Sequence, residues 1–576
     1  MQGAQGLTDE ATESYCEALR LKPGYGAAHA NLGRLYLGQN NYPNAAEHYA
    51  AAVQALPESA EVWVGLGSAL EELTERRTEA VEAYQRALTI QPDFAGAKLN
   101  LGRLLMALKR PDEAAEQLES LLPSAPDHVL GHVWLGKVMS DMGYSPQAVN
   151  LLRRAQQLDL KNPNIINLLL LTMNYLPDCS PEDLFAAHRE YGRYFTAEFP
   201  LSHPVYHHWP DPERRLKVGY VSADFRSHPL ARFIEPVFVH HDRTNFEIHV
   251  FYNYHTDDAI TTHLKKFIDA WHPIWGIEDE AVARQVRALG IDVLIDLSGH
   301  NGHHRLPMFA LKPAPVQATW LNYPGTTGLT TMDYRICDAY TDPPGLTEHL
   351  HTEQLARLPG CQWCYQPRAD LPPVGESPQR RNGYMTLGSF NNAAKVNDQV
   401  LALWAEVLNA LPKAKLCIAA AAPGRAQQRF ISILSAAGVA RERLEFLPYL
   451  PYREYLSAIS KVDLALDPFP YNGGTTSFDA LIMGVPFVTL AGDRSIARGG
   501  VSILTNLGLP DLIAHTPAEY VEIVLRLAND PQRLIDLRQT LRERLWHSPL
   551  MDGKRFTGQL ELLYRQMWRA WCVTQQ

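Results

Sequence analysis

The chain is 576 residues long, which is too long for one hydrophobic core, and about 150 residues per domain predicts three or four domains. A net charge of −10 and a pI near 6.1 exclude a nucleic-acid-binding protein that works through a generally basic surface. Seven scattered cysteines indicate no disulfide framework, and the longest apolar run is too short to span a bilayer. We therefore expect a soluble, cytoplasmic protein with neither a nucleic-acid nor a membrane partner.

Small residues recur with a fixed period in the first third of the chain. Leu-Gly pairs repeat at intervals of 34, 35 and 34 residues, at Leu32-Gly33, Leu66-Gly67, Leu101-Gly102 and Leu135-Gly136. Prolines keep the same period at Pro23, Pro57, Pro92 and Pro126. An Ala followed by Tyr or Leu marks a second helix in each period, at Ala46/Tyr49, Ala80/Tyr84, Ala115/Leu118 and Ala148/Leu151. This pattern resembles tetratricopeptide repeats, in which small residues let paired helices approach.

We expect the repeat array to cover residues 1–163, with residues 11–23 as the second half of a truncated repeat. Its groove would hold an extended peptide or a partner protein, and the alternative is a dimerisation or spacer element without cargo. A helical connector is predicted over residues 164–214. His207 and His208 in it lack further ligands at metal spacing, so they are interpreted as linker or packing residues.

Strands alternate with helices over residues 215–366, which predicts a parallel, doubly wound lobe. The predicted strands are Arg215 to Val221, Phe246 to Tyr252, Ile291 to Leu297 and Val316 to Leu321. Three of them end in loops of His, Asn, Ser, Gly and Tyr, and ligands bind at that end of such sheets. His228 is a candidate general base, against the alternative of a local cap, and His300 is a second catalytic candidate. No Asp-x-Asp follows a strand, so we expect metal-independent chemistry.

A Pro-rich linker at residues 367–383 precedes a second doubly wound lobe at residues 384–545, and residues 546–576 are predicted to form a C-terminal helix. The lobe begins with a strand at Tyr384 to Phe390, and its loop carries Lys395. A lysine just past a strand end is a suitable point charge for a diphosphate. Further strands are predicted at Lys415 to Ala419 and Leu444 to Leu447.

The stretch Asp467 to Leu490 reads DPFPYNGGTTSFDALIMGVPFVTL and follows an apolar strand at Val462 to Leu466. It predicts a glycine loop, a helix that ends at Gly484 and another strand. The first-turn N–H groups of a helix have no internal partner and carry the positive end of its dipole, which suits a phosphate. The alternative is that Thr476 simply caps the helix, with Asp479 three residues on.

Four strings in this order resemble the O-linked N-acetylglucosamine transferase family and its plant relatives, which have the GT-B fold of two facing doubly wound lobes. They are LKVGYVSADFRSHPL, LKPAPVQATWLNYPGTTG, SFNNAAKVN and the DPFPYNGGTTSFDALIMGVPFVTL stretch, with HSPLMDGKRF near the end. The resemblance covers nearly the whole chain. It implies a tetratricopeptide superhelix followed by an α/β GT-B region, and the short array is typical of a bacterial form.

The resemblance also implies an activity and a site. The donor would be UDP-N-acetylglucosamine and the acceptor a Ser or Thr hydroxyl of a protein, with inversion at the sugar and neither metal nor cofactor. Lys395 matches the family lysine on the diphosphate, and His228 the histidine beside the acceptor. The other implied donor contacts are Asn391, Asn392, Gly473, Gly474, Thr475, Thr476, Asp479, Tyr323, Pro324, Gly325 and Thr326.

The chain departs from the animal enzymes at several donor positions. It has Gly474 where they carry His, Ala394 where they carry Tyr, and replaced residues at Tyr449 to Tyr455 around the base. Three alternatives therefore stay open: a GDP-fucose-dependent transferase of the related plant type, an inactive repeat scaffold, and a phosphorylase-like enzyme with pyridoxal phosphate. The sequence leaves the acceptor proteins and the oligomeric state open.

Overall fold

The computed structural model describes residues 2–160, 162–198, 206, 210–368, 370–419, 421 and 423–575. His207 and His208 lie outside the described residues. The chain forms two compact units, one of residues 1–142 and 147–160 and a second of residues 143–146 and 161–576. None of the described helices is long and apolar enough to cross a membrane.

The first unit is made of consecutive helices, each of which packs on the next. Its helices are α1 (Gln2–Leu21), α2 (Gly26–Gly38), α3 (Tyr42–Ala55), α4 (Ala60–Glu71), α5 (Arg77–Ile90), α6 (Ala95–Ala107), α7 (Pro111–Leu121), α8 (Val129–Asp141) and α9 (Ser145–Leu158). The helix predicted at residues 11–23 thus starts earlier, at Gln2. The predicted 34-residue period is confirmed as a pair of helices per repeat.

The glycine of each Leu-Gly pair lies where two helices cross. A Cβ on Gly33 would stand 2.7 Å from the Tyr49 ring, and a Cβ on Gly67 would stand 2.7 Å from the Tyr84 ring. The same holds for Gly102 against Leu118, at 2.7 Å, and for Gly136 against Leu152, at 2.8 Å. The fourth partner is Leu152, which is fully buried. It follows the predicted marker Leu151, and both lie in α9, the second helix that this marker predicted. These contacts explain why the period requires glycine.

We expect Gly67→Ala to destabilise the array, because Tyr84 cannot move away from the added methyl group. Its ring is fully buried, and its hydroxyl is bonded to Glu71 and Ser68 at 3.0 and 3.1 Å. Overpacking of this kind costs about 1–3 kcal/mol. Hydrogen exchange of the α4 and α5 amides in the full chain measures the opening free energy.

The matched control is Gly38→Ala, at the end of α2, where an added Cβ would meet nothing within 4 Å. Alanine has the higher helix propensity, so this variant should be neutral or slightly more stable. Equal exchange rates in the two variants would contradict the crossing geometry.

The second unit contains two parallel sheets, and the first has seven strands in the order β3-β2-β1-β4-β5-β6-β7. These strands are β1 (Leu216–Ser222), β2 (Phe246–Tyr252), β3 (Ala270–Pro273), β4 (Val293–Asp296), β5 (Val316–Thr319), β6 (Tyr334–Asp338) and β7 (Gln354–Leu358). The helices of this part are α10 (Pro163–Met173), α11 (Pro181–Glu198), α12 (Ala231–His240), α13 (Ala259–Leu264), α14 (Asp279–Leu289) and α15 (Leu306–Ala310). We call residues 216–358 the first lobe.

The second sheet has six parallel strands in the order β10-β9-β8-β11-β12-β13. They are β8 (Thr386–Ser389), β9 (Lys415–Ala419), β10 (Leu444–Leu447), β11 (Leu464–Leu466), β12 (Phe487–Leu490) and β13 (Ile513–Ala514). The accompanying helices are α16 (Pro378–Asn382), α17 (Asp398–Ala410), α18 (Arg425–Ala436), α19 (Tyr452–Ile459), α20 (Thr475–Ile482), α21 (Gly499–Asn506), α22 (Pro517–Ala528) and α23 (Pro531–Trp546). We call residues 384–545 the second lobe, and the predicted pair of doubly wound lobes is confirmed.

The last helix, α24 (Gly553–Thr574), packs on the first lobe, against α12, β5 and β7. Its residues Leu560, Tyr564 and Trp568 share a core with strand β1. The Tyr564 hydroxyl lies 3.1 Å from the Tyr220 hydroxyl, and Trp568 Nε1 donates to the Asp211 carbonyl at 2.8 Å. The predicted domain boundaries stay predictions. The C-terminal helix follows the second lobe in the chain, yet it belongs to the core of the first lobe.

The sheet orders place the predicted site. In the first sheet the strand order reverses between β1 and β4, and in the second between β8 and β11. Open parallel sheets bind ligands at the carboxyl ends of the strands where this reversal occurs. The loops after β1, β4, β8 and β11 carry His228, His300, Lys395 and Gly473 respectively. The topology therefore brings the predicted residues to the two carboxyl edges.

Candidate functional site

A cleft with an empty volume of about 730 Å³ lies between the two lobes. Its first-lobe wall comes from the loops after β1 and β5 and its second-lobe wall from the loops after β8, β11 and β12. The lining residues are Pro229, Leu230, Phe233, Leu321, Asn322, Pro324, Trp363, Lys395, Tyr471, Asn472, Gly473, Gly474, Thr475, Ser495, Ile496 and Gly499. Five of these were predicted as site residues: Pro324, Lys395, Gly473, Gly474 and Thr475.

Lys395 lies on the second-lobe wall of the cleft. Its Nζ donates to the Asn472 carbonyl at 2.8 Å and stands 4.0 Å from the centre of the Tyr471 ring. Burial lowers the pKa of Lys395 to about 8, and the nearby Asp467 carboxylate opposes that shift. Burial likewise raises the pKa of Asp467 to about 7. The ammonium group is thus poorly solvated, and an anionic ligand in the cleft would stabilise its charge.

The two glycines of the loop before α20 differ in whether a side chain would fit at their position. A Cβ on Gly473 would stand 2.4 Å from Ser477 Oγ and 2.9 Å from Asp467 Oδ1, so only glycine fits there. The Gly473 N–H donates to Asp467 Oδ1 at 2.7 Å. A Cβ on Gly474 would meet nothing within 4 Å, so this glycine is not required sterically. Gly474 precedes α20 without a side-chain cap, which leaves the start of the helix open to a ligand.

Two predicted asparagines flank this helix without lining the cleft. Thr476 Oγ1 donates to Asn391 Oδ1 at 3.0 Å, which ties α20 to the loop after β8. Asn392 is exposed, and its side chain accepts the Ala394 N–H at 3.1 Å. The contact between Thr476 and Asn391 positions the helix start beside Lys395.

The Asp479 carboxylate is held by side chains around it and does not line the cleft. Arg232 Nη1 donates to its two oxygens at 2.9 and 3.1 Å, and the Tyr365 hydroxyl donates at 2.7 Å. Tyr452 donates as well, at 3.2 Å, and the Arg232 guanidinium lies 4.3 Å from the Tyr452 ring centre. Asp479 therefore joins the two lobes through Arg232, a role that the resemblance did not imply.

His228 lies at the rim of the cleft, next to the lining residues Pro229 and Leu230. Its Nδ1 accepts the Leu230 N–H at 3.2 Å and lies 3.6 Å from Asp224 Oδ2. Burial lowers the pKa of His228, Asp224 opposes this shift, and Arg226 and Arg232 add to it. A neutral ring in this geometry carries its proton on Nε2. To act as a base, it must give an Nδ1–H to Asp224.

The structure places His300 beneath the site, away from the cleft lining. Its ring is 1% exposed and packs on His188, Tyr191 and Tyr323 with centroid distances of 4.9, 4.7 and 5.1 Å. Its Nε2 bonds to the Thr327 carbonyl at 3.0 Å, and its Nδ1 contacts the Asn167 amide. Burial holds the pKa of His300 well below its ordinary range. This geometry favours a packing role over the predicted catalytic one.

The loop of Tyr323 to Thr326 contributes little to the cleft beyond Pro324. The Tyr323 side chain is buried, and its hydroxyl accepts from Asn174 Nδ2 at 2.9 Å. Thr326 Oγ1 donates to Glu353 Oε2 at 2.6 Å. Gly325 and Thr326 line a second, neighbouring cavity instead. The loop thus supports the cleft from behind.

Several cleft residues were missed by the sequence interpretation. Tyr471 directly precedes the glycine loop, and Ser495 and Ile496 follow β12, so the rule on strand ends could have found all three. Phe233 and Trp363 carried no such signal, since apolar residues in a helix or loop usually indicate core packing. Within the described residues, no group of three or more His, Cys, Asp or Glu is arranged to hold a metal ion.

A single protein-family model matches both lobes. The model described as "Glycosyl transferase family 41" matches residues 198–367 and 381–560. Tetratricopeptide repeat models match residues 2–60, 31–93 and 73–132. The matched ranges together cover most of the chain.

Two plant relatives and one solved structure are similar to the chain. A Solanum lycopersicum protein, described as a probable UDP-N-acetylglucosamine–peptide N-acetylglucosaminyltransferase SPINDLY, is 40% identical over 70% of this chain and 44% of its own length. The Arabidopsis thaliana protein SEC, described as a probable enzyme of the same activity, is 29% identical over 63% of this chain and 38% of its own length. The chain therefore spans less than half the length of these curated relatives.

The solved structure is a lysine-to-methionine mutant of the Thermobaculum terrenum O-GlcNAc transferase. It is 35% identical, with a TM-score of 0.84, over 90% of this chain and 99% of that chain. At this identity and coverage the likeness extends to sequence as well as fold. The chain belongs to glycosyl transferase family 41, with tetratricopeptide repeats ahead of the two lobes that define the match.

Proposed function

We propose that the chain is an inverting transferase that moves N-acetylglucosamine from UDP-N-acetylglucosamine to Ser or Thr hydroxyls of proteins. The observation that carries this proposal is Lys395, whose ammonium group lies on the cleft wall beside the Gly473–Thr475 loop and the open start of α20. The names of the relatives, UDP-N-acetylglucosamine–peptide N-acetylglucosaminyltransferase and O-GlcNAc transferase, agree with it.

The diphosphate end of the donor would lie against Lys395 and the start of α20. As the acceptor hydroxyl attacks the anomeric carbon, the bond from that carbon to the diphosphate breaks and the leaving UDP gains negative charge. A preorganised cation and a helix N-terminus stabilise such charge in a cleft that excludes water, and one lost donor of this kind typically costs about 10²–10³ in rate. Both features face the same cleft here, which supports a diphosphate as the leaving group.

The acceptor hydroxyl would approach from the first lobe, on the side of His228. If the ring donates Nδ1–H to Asp224, now 3.6 Å away, Nε2 becomes free to take the hydroxyl proton. Asn322 Nδ2 donates to Asp224 at 3.2 Å and lines the cleft, so it links this carboxylate to the sugar side. In this proposal His228 is the acceptor-side base, and Asp224 orients it once Nδ1 carries the ring proton.

The repeat array would recruit acceptor proteins or another protein partner, a role that agrees with the matched repeat models. We also propose that the protein works in the cytoplasm. All seven cysteines are free, as expected in a reducing compartment.

Calorimetric titration of the purified chain with UDP and, separately, with GDP tests the donor. We expect tight binding of UDP and weak or no binding of GDP. The reverse preference would favour the GDP-fucose alternative. Binding of neither nucleotide would favour an inactive scaffold, in which the repeat array is the working surface.

The same titration should depend on pH. With a pKa of about 8, Lys395 of the free protein loses its proton above that pH, whereas a bound diphosphate holds the proton on. The dissociation constant for UDP should therefore rise by up to about tenfold per pH unit above pH 8. In Lys395→Arg the guanidinium stays charged, so its dissociation constant should be flat over this range. Parallel curves for the two proteins would contradict a diphosphate contact at Lys395.

A further inference from the structure

A second cavity, with an empty volume of about 390 Å³, shares a wall with the cleft. Pro324, Ser495 and Ile496 line both spaces. The remaining walls come from α11, from the segment after β6 and from the segment after β12. The proposed reaction does not use this cavity, although it lies directly behind the place where transfer would occur.

One corner of the cavity is cationic and incompletely bonded. Arg494 is 7% exposed, its Nη2 donates to the Cys179 carbonyl at 2.7 Å, and its Nε lies 3.3 Å from Asp493 Oδ1. Its Nη1 is buried and has no hydrogen-bond partner among the described residues. Asp493 is itself 64% exposed, so water screens its charge. A buried donor on a charged group without an acceptor is costly, and a ligand oxygen would relieve that cost.

His351 lines the same cavity and also has an unused nitrogen. Its Nε2 lies 3.2 Å from Asp342 Oδ1, and its Nδ1 is buried without a partner among the described residues. Arg335 holds the pKa of Asp342 well below its ordinary range, so this carboxylate stays charged and Nε2 must be the donor. His351 Nδ1 therefore adds a second unpartnered polar atom to the lining of the cavity.

Two further carboxylates lie near the cavity, and both are already hydrogen-bonded to the protein. Asp342 is paired with Arg335. Glu353 keeps its charge, but its oxygens are turned to Thr326 and Thr327, from which they accept hydrogen bonds. The rest of the lining is largely apolar, with Leu184, Phe185, Leu350 and Ile496. The apolar lining and the unpartnered Arg494 Nη1 thus suit a short apolar stem that ends in a carboxylate.

A polypeptide acceptor would bring such a group to the cavity. Residues of an extended chain advance by about 3.3 Å each, so a serine in the cleft has neighbouring side chains within reach of the shared wall. Resting on the proposed function, we propose that this cavity binds an acidic side chain of the acceptor, next to the residue that is glycosylated. Charge-assisted hydrogen bonds are the stronger kind, so the preference should be measurable.

The test uses alanine-based heptapeptides with one central serine and a single glutamate at each other position in turn. Each has a glutamine counterpart, and each pair is titrated into the full chain saturated with UDP. We expect glutamate at one position to tighten binding about tenfold over glutamine. Equal binding of every pair, including no binding, would overturn the inference.

Two substitutions connect the preference to the cavity. Arg494→Met removes the charge with little change in length and should erase the difference between glutamate and glutamine, whereas Arg494→Lys should retain part of it. A glutamate preference that survives in folded Arg494→Met would also overturn the inference. Transfer of labelled sugar to the same peptides by the unsubstituted chain tests the proposed function separately, because the binding measurement does not require turnover.

Discussion

We expect Lys395→Ala to abolish glycosyl transfer while the protein stays folded. The ammonium group is the cation on the cleft wall nearest the glycine loop, and its loss removes the charge that would balance the leaving diphosphate. The expected loss is at least about 10²–10³ in rate, and more if the helix start depends on the same charge. Its Nζ donates to a loop carbonyl, at Asn472, so the substitution should leave the core of the second lobe undisturbed.

Initial rates with labelled donor measure this effect, and hydrogen exchange of the second lobe checks the fold. Lys395→Met keeps the apolar stem over Tyr471 and should be as inactive as Lys395→Ala. Lys413→Ala is the matched control, since Lys413 is exposed in the same lobe, and it should retain full activity. Near-normal turnover in folded Lys395→Ala would remove Lys395 from the proposed site.

His228→Ala should reduce transfer to protein acceptors by about 10²–10⁴, the usual contribution of a general base. Burial lowers the pKa of this ring from its ordinary 6.5, so the unsubstituted protein should stay active at pH 6.5 and lose activity only at lower pH, where the ring gains a proton. The pH dependence of kcat/KM for a peptide acceptor reports this limb, which should be absent from the residual activity of His228→Ala.

His547→Ala serves as the control, because His547 is an exposed histidine at the end of α23. It should leave both transfer and its pH profile unchanged. If His228→Ala slowed only the hydrolysis of the donor, and not transfer to a protein, His228 would not lie on the acceptor side.

The parts of the fold that follow local patterns could be predicted from the sequence. β2, β9 and β10 have the predicted limits, because each is a short run of strand-forming residues between turn signals. The sequence analysis did not predict strand β6, because Arg335 and Asp338 interrupt its apolar run. Both are buried, and they are stabilised by partners that local pattern does not reveal: Asp342 for Arg335, and Ser502 for Asp338.

The candidate site likewise contains residues that could be predicted from the sequence and residues that could not. The glycine loop and Lys395 come from two strand ends of one sheet, so topology alone brings them together. The pairing of Asp479 with Arg232 spans 247 residues and joins two lobes, and no spacing rule predicts it. His300 resembles a catalytic histidine in sequence because it follows a strand, but its neighbours from α10 and α11 cover it completely. Those helices were predicted to be a connector only.

The position of α24 also bears on how the protein is made. Tyr220 and Tyr564 are 344 residues apart in the chain, yet they belong to one core. Because domains fold as the chain leaves the ribosome, from the N terminus onward, the first lobe emerges long before the helix that covers it. Until translation ends, the face that receives Leu560, Tyr564 and Trp568 stays open to water and to chaperones. The first lobe begins to fold before the second, but it can be completed only after the second has been synthesised.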